Sequence, residues 1–199
     1  MEKINKKDLI TDAAMSCFLD SGYRRTSMDD IVKVSGISKG GIYWYFNSKE
    51  EIFLYFLERE LDKEQEKHRK ISQSSSSAQE QLHQFFQAHL EHDEKFPLHL
   101  VVGEFLTQLK NPEITRSFQK LIQKKHHKKN FFIQALELGI KNQEFIPHNT
   151  QIMAEVICAV CEGCTFRYVM EHQNTRLLQE ALEQAEVMVL AKILKTGGI

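Results

Sequence analysis

The chain has 199 residues, of which 42% are hydrophobic and 27% charged, with only 3 Pro and 9 Gly. This is the composition of an ordinary globular protein, and it excludes a disordered chain, a collagen-like repeat and a disulfide scaffold. No unbroken apolar run, Ile52 to Leu57 included, exceeds six residues, against the roughly 20 that a membrane-spanning helix needs; the net charge of −1 leaves any nucleic-acid binding to a local basic face.

Apolar spacing predicts helix nearly throughout, because strand-like alternation between turn signals is absent. Leu9, Ile10, Ala13, Ala14, Cys17 and Phe18 form the first stripe, closed by Ser21-Gly22. A short helix follows, with Ser27 as N-cap, Asp30 at N3 as an imperfect capping box and Gly36 as the stop. Ser38 caps a third helix through Phe46, and Ser48 with Glu51 forms a capping box for a fourth. That helix carries Ile52, Phe53, Phe56, Leu57 and Leu61, then runs into charged pairs such as Glu60–Lys63 and Glu66–Lys70. The Ser-rich tract 72–77 is the clear loop. Further helices are predicted over 78–92, 97–109, 112–142, 149–171 and 174–195, with Pro97 and Pro112 in first turns and Asn111, Asn149 and Asn174 as caps.

The second and third helices, joined by Ser35-Gly36-Ile37-Ser38, have the form of a helix-turn-helix. The third presents Lys39, Gly40, Gly41, Tyr43, Trp44 and Tyr45. A cation, two positions without side chains and three aromatics suit close approach to a phosphate backbone. Three consecutive residues span about 200° of a helix at 100° each, so the aromatics cannot all face one small core.

With its Gly22-Tyr23, Thr26-Ser27, Ile31-Val32, Ser35-Gly36-Ile37-Ser38, Lys39-Gly40, Ile42-Tyr43, Tyr45-Phe46 and Ser48-Lys49-Glu50-Glu51, the stretch from 9 to 53 closely resembles the DNA-binding signature of the tetracycline-repressor (TetR) family. The resemblance implies an all-α dimeric regulator of about nine helices: a helix-turn-helix DNA-binding domain over 1–47 and an effector-binding and dimerisation domain over 48–199. It implies that Ser27 caps its helix and touches phosphate, that Ser38, Lys39 and Gly40 lie against DNA, and that Tyr43, Trp44 and Tyr45 contact phosphates and bases. Lys49 would clamp a phosphate, while Ile42 and Phe46 face the core. Two departures stand out. Gly41 lies in the DNA-binding stretch where the family often has a small polar side chain, and Trp44 is bulkier than the polar residues often found there. From Met1 to Lys49 the charge is only +2; Lys3, Lys6 and Lys7 form either an arm for an adjacent groove or a solvated tail.

Beyond residue 53, Ile152, Val156 and Val160 make one row, and Met153, Ile157, Cys161 and Cys164 a neighbouring one. The last helix shows Leu178, Ala181, Leu182, Ala185, Met188, Val189 and Ile193. Faces this wide imply burial against the body and against a partner, and the resemblance implies a homodimer through these two helices. Two heads about 34–36 Å apart would read a palindrome in double-stranded DNA. The resemblance also implies a pocket for a small-molecule effector, with Phe85, Phe105, Leu109, Phe132, Cys161, Cys164 and Tyr168 as candidates. Plain core packing is the competing reading of each, and an apolar pocket would suit a hydrophobic or amphipathic effector.

No metal site or cofactor is expected. From end to end Cys158, Cys161 and Cys164 span about 120° in azimuth and about 9 Å of helix, so they read as free thiols. His89, His92, His126 and His127 read as solvent-facing. The run Lys124-Lys125-His126-His127-Lys128-Lys129 reads as a solvated helix face, with an anionic head-group site as the sharper alternative. Met1–Asp8 is charged with no apolar core behind it, and four Cys without an export signal point to the cytoplasm. Walker, nucleophile-elbow, zinc-protease and dinucleotide motifs are missing. The expectation is a cytoplasmic repressor released from its operator by an effector. A constitutive DNA-binding regulator and, less favoured, a helical enzyme stay open.

Overall fold

The structure is a computed structural model that describes residues 5–93, 98–124, 126–170 and 175–194. It is all-α, as expected. The helices are α1 (Lys6–Ser21), α2 (Met28–Ser35), α3 (Lys39–Tyr43), α4 (Lys49–Ser74), α5 (Ala78–Asp93), α6 (Leu98–Gln108), α7 (Pro112–Lys124), α8 (His126–Lys141), α9 (Thr150–Met170) and α10 (Thr175–Ile193). Among the described residues no helix is long and apolar enough to cross a membrane.

The caps explain the boundaries. The Asn5 side chain accepts from Lys7 N–H at the start of α1, and Gly22, at φ +85°, closes it by donating to Phe18 O. Ser27 and Asp30 make a complete capping box, better than the imperfect one expected. Gly36 takes the left-handed φ of 65° that ends α2. Helix α3 is shorter than predicted and stops at Tyr43. Ser48 Oγ accepts from Glu51 N–H at 3.3 Å, but the Glu51 carboxylate turns to the backbone N–H of Asn47, at 2.8 Å. The expected loop over 72–77 is also shorter, since α4 continues to Ser74. Ile71 is buried there and Arg69 bonds Gln73 one turn on. The helix expected over 112–142 is described as α7 and α8, and residue 125 between them lies outside the described residues.

The helices pack into two compact units: residues 1–63 with 97–124, and residues 64–96 with 125–199. The first half of α4, α6 and α7 share a core with the helix-turn-helix. Phe18, Tyr23, Phe53 and Phe105 meet there at ring distances of 4.8–6.0 Å, and each is at most 1% exposed. Aromatic pairs of this kind add about 0.5–1.5 kcal/mol each beyond the area they bury. Arg59 ties α4 to α1 through Asp8 and Asp12, at 3.3 and 2.5 Å. Buried Thr26 is satisfied by donating to Cys17 O and Gly22 O.

In the second unit α9 packs on α8 and α10, and α5 on α8 and α10. Its core holds Leu82, Phe85, Phe86, Phe132, Leu136, Ile157, Cys161 and Leu182, all at most 2% exposed. Glu144, beyond the end of α8, caps α5 from a distance by accepting from Ala78 and Gln79 N–H at 3.2 and 3.1 Å. At Gly139 the backbone of α8 runs so close to the Phe145 ring that a Cβ would lie 2.1 Å from it. Ile152, Val156, Phe166, Leu177, Val187 and Met188 stay exposed on α9 and α10.

Candidate nucleic-acid interface

Helix α3 owes its pose to two buried anchors. Ile42 is fully buried and Phe46 is 3% exposed, and both face the core as expected. Ser38 Oγ accepts from Gly41 N–H at 3.2 Å and caps the helix start. The opposite side is left to solvent: Trp44 is 78% exposed and Tyr43 42%. Tyr45 is half-buried, and its ring meets that of Trp44 edge-on at 4.5 Å. The large indole, held out in water beside exposed Tyr43, adds no burial to the fold, so folding alone does not account for its size there.

The two glycines differ. A Cβ at Gly40 would meet nothing within 4 Å, so that position is open. A Cβ at Gly41 would press on Ile37 Cγ2 at 3.0 Å and Ser38 Oγ at 3.1 Å. Gly41 is thus set by the packing of the turn as well as by its place in the DNA-binding stretch.

The polar residues are more committed than the sequence suggests. The Lys39 ammonium is exposed but paired with Asp29 at 2.8 Å, which holds it above the usual lysine range. Ser27 accepts from Asp30 N–H and donates to the Asp30 carboxylate at 2.6 Å, so its hydroxyl proton is engaged within the capping box. These hydrogen bonds from the Ser27 hydroxyl and backbone hold the Asp30 carboxyl below its ordinary value. Lys7 belongs to α1, with its ammonium 4.1 Å from the Tyr55 ring centre, so it is no part of an arm; Lys3 lies outside the described residues.

Lys49 departs furthest from expectation. Its ammonium donates to the carbonyls of Tyr23, Thr26 and Arg24, at 2.8, 3.1 and 3.4 Å, and sits 4.5 Å from the Tyr23 ring centre. Burial pushes the group below the usual lysine range, while Glu50 and Glu104 oppose that. The three carbonyls match the three donors of an ammonium, so in this structure Lys49 makes an internal contact. Its partner Glu104 on α6, which accepts from Arg24 N–H at 3.0 Å, was not a sequence candidate. An acceptor aimed at a backbone amide 80 positions away leaves no local signature.

The effector candidates divide between the units. Phe105 and Leu109 belong with the helix-turn-helix, Phe105 in its aromatic core and Leu109 half-buried beside it. Phe85, Phe132 and Cys161 are core residues of the second unit, with Cys164 packed against them. The Phe85 and Phe132 rings meet at 4.3 Å. The side chain of Tyr168 lies outside the described residues. Burial pushes the Cys158 and Cys164 thiols up, keeping them protonated. His89 and His92 side chains, and those of Lys124 to His127, also lie outside the described residues. The rest of the basic run is no solvated face. Lys128 is 5% exposed, with its ammonium 5.4 Å from the Phe85 ring centre, and Lys129 pairs with Glu155.

Residues 10–56 match the model of bacterial regulatory proteins of the TetR family, and residues 60–193 match that of the QacR-like C-terminal region. The chain belongs to the TetR family and is a DNA-binding transcriptional regulator. It is 33% identical to QacR of Staphylococcus aureus over 119 residues, which are 59% of this chain and 63% of QacR, so the match spans less than two thirds of that relative. It is 29% identical to the regulator YhgD of Bacillus subtilis over 171 residues, 85% of this chain and 87% of YhgD. Among solved structures it superposes on the complex of SmeT with triclosan, at 20% identity and a TM-score of 0.76, covering 96% of this chain and 93% of that one. SmeT is a repressor of a multidrug efflux pump from Stenotrophomonas maltophilia.

Proposed function

We propose that this regulator is a cytoplasmic repressor that binds a palindromic operator as a homodimer and is released by a small hydrophobic or amphipathic effector. DNA binding is assigned to residues 1–47, and effector binding and dimerisation to 48–199. The observation that carries the reading is the outward face of α3. Trp44 and Tyr43 project beside the Ser38-Lys39-Gly40 start, and Ile42 and Phe46 fix the helix from behind. DNA contacts are assigned to Ser38, Lys39, Gly40, Tyr43, Trp44 and Tyr45, with Ser27 and Gly41 shaping the motif. Lys39 would exchange its exposed partner Asp29 for phosphate.

The exposed apolar residues of α9 and α10 support the dimer. Ile152, Val156 and Phe166 lie along one face of α9, and Val187 and Met188 on α10, at 47–66% exposure. A two-fold interface would cover such a face on both copies. For the effector, the support is the complex of SmeT with triclosan and the aromatic interior of the second unit. Phe85, Phe132, Cys161, Cys164 and Tyr168 are the candidate contacts. Phe105 and Leu109 pack with the helix-turn-helix instead. A constitutive regulator without effector is the second reading, favoured by the closeness of Phe85 and Phe132 in the core.

The test follows Trp44, the one tryptophan of the chain, during titration with duplex from upstream of the gene and with duplexes selected from a random-sequence pool. A saturable change at two chains per site, weakening with salt as phosphate contacts require, is expected. Failure of every selected duplex to bind would overturn the reading. With a selected duplex in hand, release by triclosan or other apolar small molecules separates the effector-responsive form from the constitutive one.

A further inference from the structure

The turn between α1 and α2 leads into the helix-turn-helix, and its own bonds, Thr26 N–H to Gly22 O at 3.3 Å and Thr26 Oγ1 to Cys17 O and Gly22 O, close only its end. It leaves α1 through Gly22, whose left-handed φ of +85° reverses the chain. It then passes Tyr23, whose ring is buried among Phe18, Phe53 and Phe105, and reaches the Ser27 cap of α2. Two oppositely charged side chains grip it between these points.

On the carbonyl side, Lys49 Nζ gathers the oxygens of Tyr23, Arg24 and Thr26 at 2.8, 3.4 and 3.1 Å. On the amide side, the Glu104 carboxylate accepts from Arg24 N–H at 3.0 Å and lies 3.2 Å from where a Cβ of Gly22 would stand. The residue Arg24 therefore gives its N–H to an anion and its C=O to a cation. Each charge polarises the backbone toward the other, and bonds coupled in this way strengthen one another. The two grips come from the start of α4 and from α6, both packed in the unit that contains the turn.

We propose that Lys49 and Glu104 are positioning residues that clamp the α1–α2 turn and so set the pose of the recognition helix, with Lys49 acting on backbone carbonyls and not on DNA phosphate. The proposal rests on the DNA-binding reading for its consequence, but the clamp itself exists without DNA. Thr26, whose carbonyl Lys49 also holds, directly precedes the Ser27 cap, so the clamp fixes the first turn of α2, and α2 carries α3 through Gly36 and Ile37.

The DNA-free measurement is amide hydrogen exchange on the full chain. Exchange over residues 24–27 should rise at least about tenfold in Lys49→Met and in Glu104→Ala. Glu104→Gln keeps an acceptor oxygen for Arg24 N–H and should recover most of the protection. Unchanged exchange in both removal variants overturns the clamp, whether or not the chain binds DNA. The mild Glu104→Gln variant keeps the comparison open if a removal variant folds poorly.

The second measurement uses a duplex that the unaltered protein has selected from a random pool. Glu104→Ala deletes a negative charge, so simple electrostatics predicts tighter binding; the clamp predicts weaker binding. For Lys49→Met the clamp predicts lower affinity with an unchanged dependence of log K on log salt. A phosphate contact would instead flatten that slope by about 0.9 per lysine lost, and that flattening, or tighter binding by Glu104→Ala, overturns the proposal. If no duplex is selected, the DNA-binding reading fails and the exchange measurement alone decides the clamp.

Discussion

Aromatic side chains appear in two places in this molecule with opposite fates. On α3, Tyr43 and Trp44 stand in solvent. In the second unit, Phe85, Phe131 and Phe132 enclose one another, with ring centres 4.3–5.6 Å apart, and Phe131 stacks on the buried His68. The residue type is shared, but one group stabilises the fold by its burial and the other adds little to it. An aromatic that folding would hide, yet which the backbone holds outward, is informative about function. A buried one is explained by packing until something else is shown.

That contrast can be broken most strongly from the buried side. Phe132→Ala removes a fully buried ring and should cost about 3–5 kcal/mol of stability, measured by urea unfolding. A loss below 1 kcal/mol would mean that the ring borders space, as an effector site would require. Trp44→Ala should do the converse. Stability should stay within about 0.5 kcal/mol, while affinity for a selected duplex falls by about tenfold, the order expected when a stacking or packing aromatic leaves a nucleic-acid interface. Equal binding by this variant would make the exposed indole irrelevant to DNA. The smallest effect is expected at Lys128, which lies against Phe85 with little exposure. Lys128→Met keeps the bulk and removes the buried charge, so the unfolding midpoint should stay or rise by the equivalent of about 1 kcal/mol. A clear loss would show that the ammonium has a stabilising role that packing does not reveal.

The sequence was most legible where signals are local. Ser27, Gly36, Ser38, Asn111 and Asn149 all act as caps or stops near the positions their chemistry suggests, because a cap needs only its own neighbours. The helix-turn-helix and the outward aromatics followed from the same short-range logic. It failed where the partner is distant or is backbone. Lys49 reads as a phosphate contact by resemblance, yet its carbonyl partners in this structure lie more than 20 residues earlier. Glu104 reads as one charge on a helix, and only the fold brings it to Arg24. Glu51 was assigned to Ser48 but found Asn47 N–H, a displacement of one residue that spacing cannot resolve. Lys128 was grouped with its charged neighbours, although the helix turns it inward beside Phe85. The effector candidates are ambiguous in sequence for another reason: buried aromatics look alike whether they line a ligand or one another, and Phe105 and Leu109 belong to a different core from the rest.

Gly139 carries a consequence of a different kind. Every missense change of a glycine codon adds at least a Cβ, and here that atom would lie 2.1 Å from the Phe145 ring, with a backbone turn pinned behind it by Glu144 and Phe145 N–H on Gly139 O. The codon thus has no missense neighbour that leaves the ring where it is. Substitution at 139 must be matched by change at 145, so drift in this part of the gene proceeds through pairs of changes, while the outer faces of α9 and α10 can vary one residue at a time within the limits set by whatever covers them.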